Sequence, residues 1–129
     1  MTDPIADMLT QIRNAFAVGK EEVILPHSKA KLEIAKILEK EKFVDKVQTE
    51  KNKFEVIKIN LKYLSTGECV IRSIKRVSKP GRRVYVNARR LPHVLNDLGI
   101  AIVSTPQGIM TNRDARKKHL GGEIVCEVY

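Results

Sequence analysis

The stretch STPQGIMTNRDARKKHLGGEIVCEVY, residues 104–129, reads as two strand ends with a short helix between them. Upstream, IAIV runs into Ser104 and Thr105 as a strand. Pro106 then holds the loop extended, and Gly108 lets another backbone come close. Thr111-Asn112-Arg113-Asp114 has the spacing of a helix start, with Thr111 as cap and Asp114 three positions on. The helix it begins is brief and crowded by Arg113, Arg116, Lys117 and Lys118, cations that suit a helix C-terminus whatever else they touch. After Gly121 and Gly122 the chain closes as a strand. Cys126 alternates there with Ile124 and Val128, and so faces the core.

Working outward, the charge is concentrated. The chain has 129 residues and a formal net charge of +9. Residues 1–71 carry 12 Lys/Arg against 11 Asp/Glu, and residues 91–129 carry 4 of each. The excess lies in RSIKRVSKPGRRVYVNARR, residues 72–90, with 8 Lys/Arg and no acid. A surface kept soluble by charge mixes its signs. A single-sign block inside a folded chain points to a polyanion, nucleic acid before membrane surface.

The segments on either side of residue 66 differ in pattern. PIADMLTQIRNAFAV places Ile5, Met8, Leu9, Ile12 and Phe16 at helical spacing, with Thr2 or Asp3 as cap and Pro4 in the first turn. EEVILP is a strand stopped by Pro26, and Ser28 caps a second helix, KAKLEIAKILEKE. KFVDKVQTE and KFEVIKINLKY read as strands joined by a polar turn near Glu50 to Asn52. The second sets Ile57, Ile59, Leu61 and Tyr63 against Lys58, Asn60 and Lys62. STGE, residues 65–68, is the candidate boundary. Beyond it, CVIRSIKRVS and RRVYVN form a hairpin hinged at Pro80-Gly81. Pro92 opens a helix with Leu91, Val94, Leu95 and Leu98 as its apolar stripe. The fold expected is α+β in two small domains: residues 1–66, α-β-α-β-β, and residues 67–129, mostly antiparallel β with short helices.

Much chemistry has no signature. There is no GxxxxGK loop, no GxGxxG after a strand and no HExxH. His27, His93 and His119 stand apart, without metal-ligand spacing to a cysteine. No run of apolar residues is long enough to span a membrane, and the start has no secretory h-region. Cys69 and Cys126 are expected to be reduced and buried in an intracellular chain. Neither an enzyme nor a cofactor or metal is expected.

What remains fits RNA. Lys79, Arg82 and Arg83 flank the Pro80-Gly81 turn, where side chains project toward a phosphate backbone. Tyr85 shares a side with Arg83 and either stacks on a base or packs in the core. Were the two strand ends of 104–129 neighbours, their hydroxyls and glycines would form a shallow surface that RNA can approach closely. Glu123 weakens such binding electrostatically and contributes only by accepting a hydrogen bond from an amino group or a 2′-OH.

MTDPIADMLTQIRNA at the start and STPQGIMTNRDARKKHLGGEIVCEVY at the end resemble the bacterial-type small-subunit ribosomal protein eight family, and the likeness covers the whole chain. The resemblance implies two packed α/β and β domains, no catalysis, and a place in a ribosome of the cytoplasm or of an organelle. It implies direct binding to the central domain of small-subunit ribosomal RNA, support of subunit assembly among neighbouring small-subunit proteins, and in some members repression of the protein's own operon mRNA. Matched position by position, it points to RNA contacts at Ser104, Thr105, Tyr85, Gly122 and Glu123, with Pro106, Gln107 and Gly108 in the same loop. It also points to Thr2, Asp3 and Lys29 near RNA. The family loop more often reads Ser-Thr-Ser, a basic residue and Gly, so Pro106 and Gln107 replace a hydroxyl, a backbone donor and a cation.

Overall fold

The computed structural model describes residues 2–51, 53–95 and 98–129. Its described residues form three α-helices and antiparallel sheets, the mixed α+β class expected. They group into two compact units, Asp7–Ile71 and the N-terminal residues through Ala6 together with Arg72–Tyr129.

In the first unit, local sequence and structure agree closely. Helix α1 (Pro4–Ala17) begins where Asp3 Oδ1 accepts the Ala6 N–H at 3.2 Å, and it buries Met8, Leu9, Ile12, Ala15 and Phe16. Strand β1 (Glu22–Pro26) leads to α2 (Lys29–Lys40), capped by Ser28, whose Oγ accepts the Lys31 N–H at 3.2 Å. Strands β2 (Val44–Lys51) and β3 (Glu55–Leu61) complete an antiparallel sheet of order β1-β3-β2. The period-two pattern holds, since Ile57, Ile59 and Leu61 are buried while Lys58 and Asn60 are half-buried. Full burial of each such side chain contributes roughly 1.5–3 kcal/mol. Tyr63 is half-buried and meets Phe16 edge-on, ring centroids 5.4 Å apart. Of the polar turn expected near Glu50 to Asn52, Glu50 and Lys51 belong to β2, and Asn52 lies outside the described residues.

The second unit is built around the last strand. Strands β4 (Ile74–Arg76), β5 (Tyr85–Val86), β6 (Ile100–Thr105), β7 (Gly108–Thr111) and β8 (Gly122–Val128) form one sheet. Its order is β4-β8-β6-β7, and β5 also pairs with β8. Helix α3 (Asn112–Lys117) starts as the sequence indicates, with Thr111 Oγ1 accepting the Asp114 N–H at 3.2 Å. Leu91, Val94, Ala101, Val103, Met110, Ala115 and Ile124 form the core cluster, with Val77, Val84, Val86 and Leu120 packed on it. The Arg76 side chain, 8% exposed, reaches Asp3 Oδ2 through Nε at 3.2 Å and donates from Nη1 to the Val125 carbonyl at 2.7 Å. The first residues are thereby tied to this unit.

Four expectations change here. The basic segments at 74–76 and 85–86 do not form a hairpin ladder with each other; both lie along β8. No helix forms from Pro92 among the described residues. Asn112 Nδ2 and Arg116 Nη2 both donate to the Pro92 carbonyl, at 2.8 and 3.3 Å, which takes the acceptor a first helical turn needs. Leu95 has φ +46°, outside the helical region, and Leu95 and Leu98 are exposed while Leu91 and Val94 are buried. Asn96 and Asp97, in that same span, lie outside the described residues. Strand β7 was not anticipated. Finally, Cys126 opposes Ile102 whereas Ile124 opposes the next residue, Val103, so the two face opposite sides of the sheet. Val125 is the extra residue of a β-bulge, and it lets β8 bury Ile124, Val125 and Cys126 in succession.

Burial pushes the Cys126 thiol up to about 12 from an ordinary value of 9.0. An unfolded chain releases this proton near its ordinary pKa while the folded chain keeps it. The stability contribution is therefore whole below pH 9 and falls as pH rises toward 12. Relative to Cys126→Val, the native protein should lose up to about 1.4 kcal/mol per pH unit across that window. Urea unfolding of both proteins from pH 8 upward measures it.

Candidate nucleic-acid interface

One residue of β8 organises the basic segment. The Ile124 carbonyl accepts the Ser78 N–H at 2.9 Å, and the Ile124 N–H donates to the Val84 carbonyl at 3.0 Å. Residues up to Ser78 and from Val84 onward thus form one edge strand along β8, interrupted at a single position. The five residues between them, Lys79-Pro80-Gly81-Arg82-Arg83, have to leave the sheet. They close on themselves through Lys79 and Arg82, whose backbones exchange bonds of 3.0 and 2.9 Å. Lys79, Arg82 and Arg83 are all exposed on this protrusion. Of the eight cations in 72–90, Arg76 is spent on Asp3 and Val125, as described above.

Directly beside the protrusion, pairing sets a row across the sheet. Tyr85 of β5 opposes Glu123 of β8, and Glu123 opposes Ser104 of β6. Residues directly opposite in antiparallel strands project from the same face. Tyr85, Glu123 and Ser104 therefore stand side by side, although they are far apart in sequence. Tyr85 is 68% exposed, which excludes the core-packing alternative, while Val84 and Val86 turn to the core cluster. Among the described residues the Ser104 hydroxyl has no hydrogen-bond partner.

Glu123 does have partners. Its Oε2 accepts the Ser78 hydroxyl at 2.6 Å and Arg83 Nη1 at 3.0 Å. Ser78 is fully buried, and its Oγ also accepts the Val84 N–H at 3.1 Å, closing the neck of the protrusion. Nothing in the sequence sets Ser78 apart. It is one of two serines, with Ser73, in the basic segment 72–90.

The loop after β6 is tighter than expected. Thr105 pairs with Gly108, so Pro106 and Gln107 are the two exposed residues of a hairpin turn. Pro106 takes the second turn position, which its fixed φ suits, and does not extend the loop. Thr105 Oγ1 donates to the Gly108 carbonyl at 2.8 Å and accepts the Gln107 N–H at 3.1 Å. Gly108 has φ +117° with open space where a Cβ would sit, so it serves the turn and not a close approach. Gly122 is the opposite case. A Cβ there would run into the Ser104 carbonyl oxygen and come within 3.2 Å of Thr105 Cα.

The N-terminal candidates separate. Thr2 and Lys29 are exposed. The Asp3 carboxylate already caps α1 with one oxygen and pairs with Arg76 through the other. Among the described residues no cluster of His, Cys, Asp and Glu is arranged to hold a metal ion, and no helix is long and apolar enough to cross a membrane.

Residues 3–129 match the family model described as Ribosomal protein S8. Over 130 residues the chain is 55% identical to the small ribosomal subunit protein uS8 of Geobacillus kaustophilus, covering 100% of this chain and 98% of the relative. It is 49% identical over 130 residues to the protein of that name from Thermodesulfovibrio yellowstonii, covering 100% and 99%. With the Acholeplasma laidlawii protein it shares 50% over 129 residues, covering 100% and 98%.

The two loop glycines should respond differently to alanine. Gly122→Ala forces the β6 and β8 backbones apart and should cost about 3 kcal/mol, the upper range of overpacking. Gly108→Ala meets no atom and should cost about 1 kcal/mol for its backbone conformation alone. Urea denaturation midpoints of the two variants check the order.

Proposed function

The chain belongs to the ribosomal protein S8 family, a constituent of the small ribosomal subunit, and on that footing we propose that it binds small-subunit ribosomal RNA directly through residues 67–129. The target is the central domain of that RNA, and the binding supports subunit assembly beside neighbouring proteins of the subunit. The same surface, meeting a similar element in the protein's own operon message, would repress translation.

The observation that carries this reading is the register that aligns Tyr85, Glu123 and Ser104 beside the basic protrusion. The row supplies an aromatic face, an acceptor and a free hydroxyl, the groups that read unpaired bases and 2′-OH groups. The protrusion supplies charge that neutralises phosphates without regard to sequence. Lys79 and Arg82 are the phosphate contacts. Arg83 divides its guanidinium between RNA and Glu123. Ser104 contributes a hydroxyl, while Thr105, Pro106, Gln107 and Gly108 contribute the turn that presents it. Gly122 permits the close approach of strands beneath. Thr2 and Lys29 add peripheral contacts, and Asp3 lies near the RNA with both carboxylate oxygens already engaged, by the Ala6 N–H and by Arg76.

The test is binding to a fragment of the small-subunit RNA central domain and to random duplex RNA across a salt series. The fragment should bind at least tenfold tighter, and equal affinity would sink the proposal. Lys79→Ala and Arg82→Ala should weaken both RNAs alike, each reducing the slope of log K against log salt by about 1. Ser104→Ala should weaken the fragment alone, by up to about tenfold, with the slope unchanged.

A further inference from the structure

Of the three buried polar side chains among the described residues, Thr111 caps α3, and Asn112 joins Pro92 to β6 through the Ala101 N–H. Ser78 is different, because one of its two bonds leaves the protrusion. Accepting the Val84 N–H would by itself close the neck, and any hydroxyl proton left over could go to a backbone carbonyl. The proton goes instead to Glu123 Oε2 at 2.6 Å, the carboxylate at the centre of the row. Arg83 docks on that same oxygen at 3.0 Å. Among the described residues Oε1 accepts no hydrogen bond. A carboxylate beside exposed cations, 19% exposed itself, would otherwise sample several partners. A buried donor at short range removes that freedom, and charge-assisted bonds of this kind are about twice as strong as neutral ones.

We propose that Ser78 is a positioning residue for RNA recognition: its buried hydroxyl fixes Glu123, and through Glu123 it fixes Arg83, in the arrangement that RNA meets. This rests on the RNA-binding reading above and adds to it the element that makes Glu123 selective. One oxygen is committed within the protein, and the other is held facing outward as a single oriented acceptor. An oriented acceptor discriminates between RNA groups, whereas a mobile one mainly repels phosphate.

The test compares Ser78→Ala with the native protein on the central-domain fragment and on random duplex RNA across a salt series. The ratio of the two affinities should fall about tenfold, the scale of one hydrogen bond to a charged group. Affinity for random duplex and its salt slope should stay unchanged. In a Glu123→Ala background, Ser78→Ala should leave the ratio within twofold, because the group it acts through is gone. An unchanged ratio in Ser78→Ala, or an equal fall in both backgrounds, overturns the proposal and leaves the RNA-binding reading standing. A native protein with no preference for the fragment overturns both. Should Ser78→Ala fail to fold, NMR of the native protein decides: the Ser78 hydroxyl proton should remain slowly exchanging and bonded to Glu123 in the RNA complex. A freely exchanging hydroxyl there overturns the proposal.

Discussion

Ile124 uses its two backbone groups on two residues that are six apart in sequence, Ser78 and Val84. In a regular antiparallel edge strand both bonds would go to one and the same opposing residue. Here the edge resumes where it stopped, and five residues are left with no place in the ladder. Their exclusion is a matter of pairing, not of charge, but the residues excluded include three exposed cations. The position of the protrusion beside Glu123 then follows, because Tyr85 re-enters the ladder one step later and opposes Glu123. The bulge at Val125 has a matching effect on the other edge of β8. Without that extra residue, the alternation that buries Cys126 against Ile102 would turn Ile124 to the same side and Glu123 to the core cluster.

The acid in this basic region is not explained by stability. Arg83 is 46% exposed at its side chain, so its pair with Glu123 is worth about 0–1 kcal/mol after solvent screening. What the contact supplies is geometry. Arg83 is held near the neck of the protrusion while the Lys79 and Arg82 side chains project from it exposed. The same economy of charge appears at Arg76, which the sequence counts among the eight cations of 72–90 but whose buried guanidinium is satisfied by Asp3 and the Val125 carbonyl. Net charge by segment therefore overstates what a partner can feel, and within residues 72–90 the discount falls on Arg76 and Arg83, each paired with a carboxylate.

Where local chemistry decides an element, the sequence is readable. Asp3, Ser28 and Thr111 each cap the helix their side chains suggest, and the alternation in β3 survives intact. Where distant residues decide, it is not. Pro92 resembles a helix start, yet Asn112 and Arg116, some twenty residues on, take its carbonyl. GIMT is too short to read as a strand until β6 is beside it. Lys79 to Arg83 look like a hairpin turn, because nothing local reveals that both flanks belong to β8. The row of Tyr85, Glu123 and Ser104 could be suspected residue by residue, but its alignment is a property of register. Ser78 was invisible for the same reason: its meaning lies in two partners, Val84 and Glu123, of which one is 45 residues away.

At Pro106-Gln107 the sequence departs from the family loop within what the turn requires. Two constraints are visible: the Thr105 hydroxyl bridges the turn, and Gly108 adopts a positive φ. Neither falls on 106 or 107. The second turn position needs no N–H and favours a fixed φ, so proline fits it without distortion. At the third position the Gln107 N–H is satisfied by Thr105 whatever side chain it carries. Exchanging a hydroxyl and a cation for Pro106 and Gln107 thus changes the groups exposed at the tip and leaves the backbone that presents Ser104 as it was. The exchange is confined to the exposed tip, and Ser104 at the strand end keeps its place opposite Glu123.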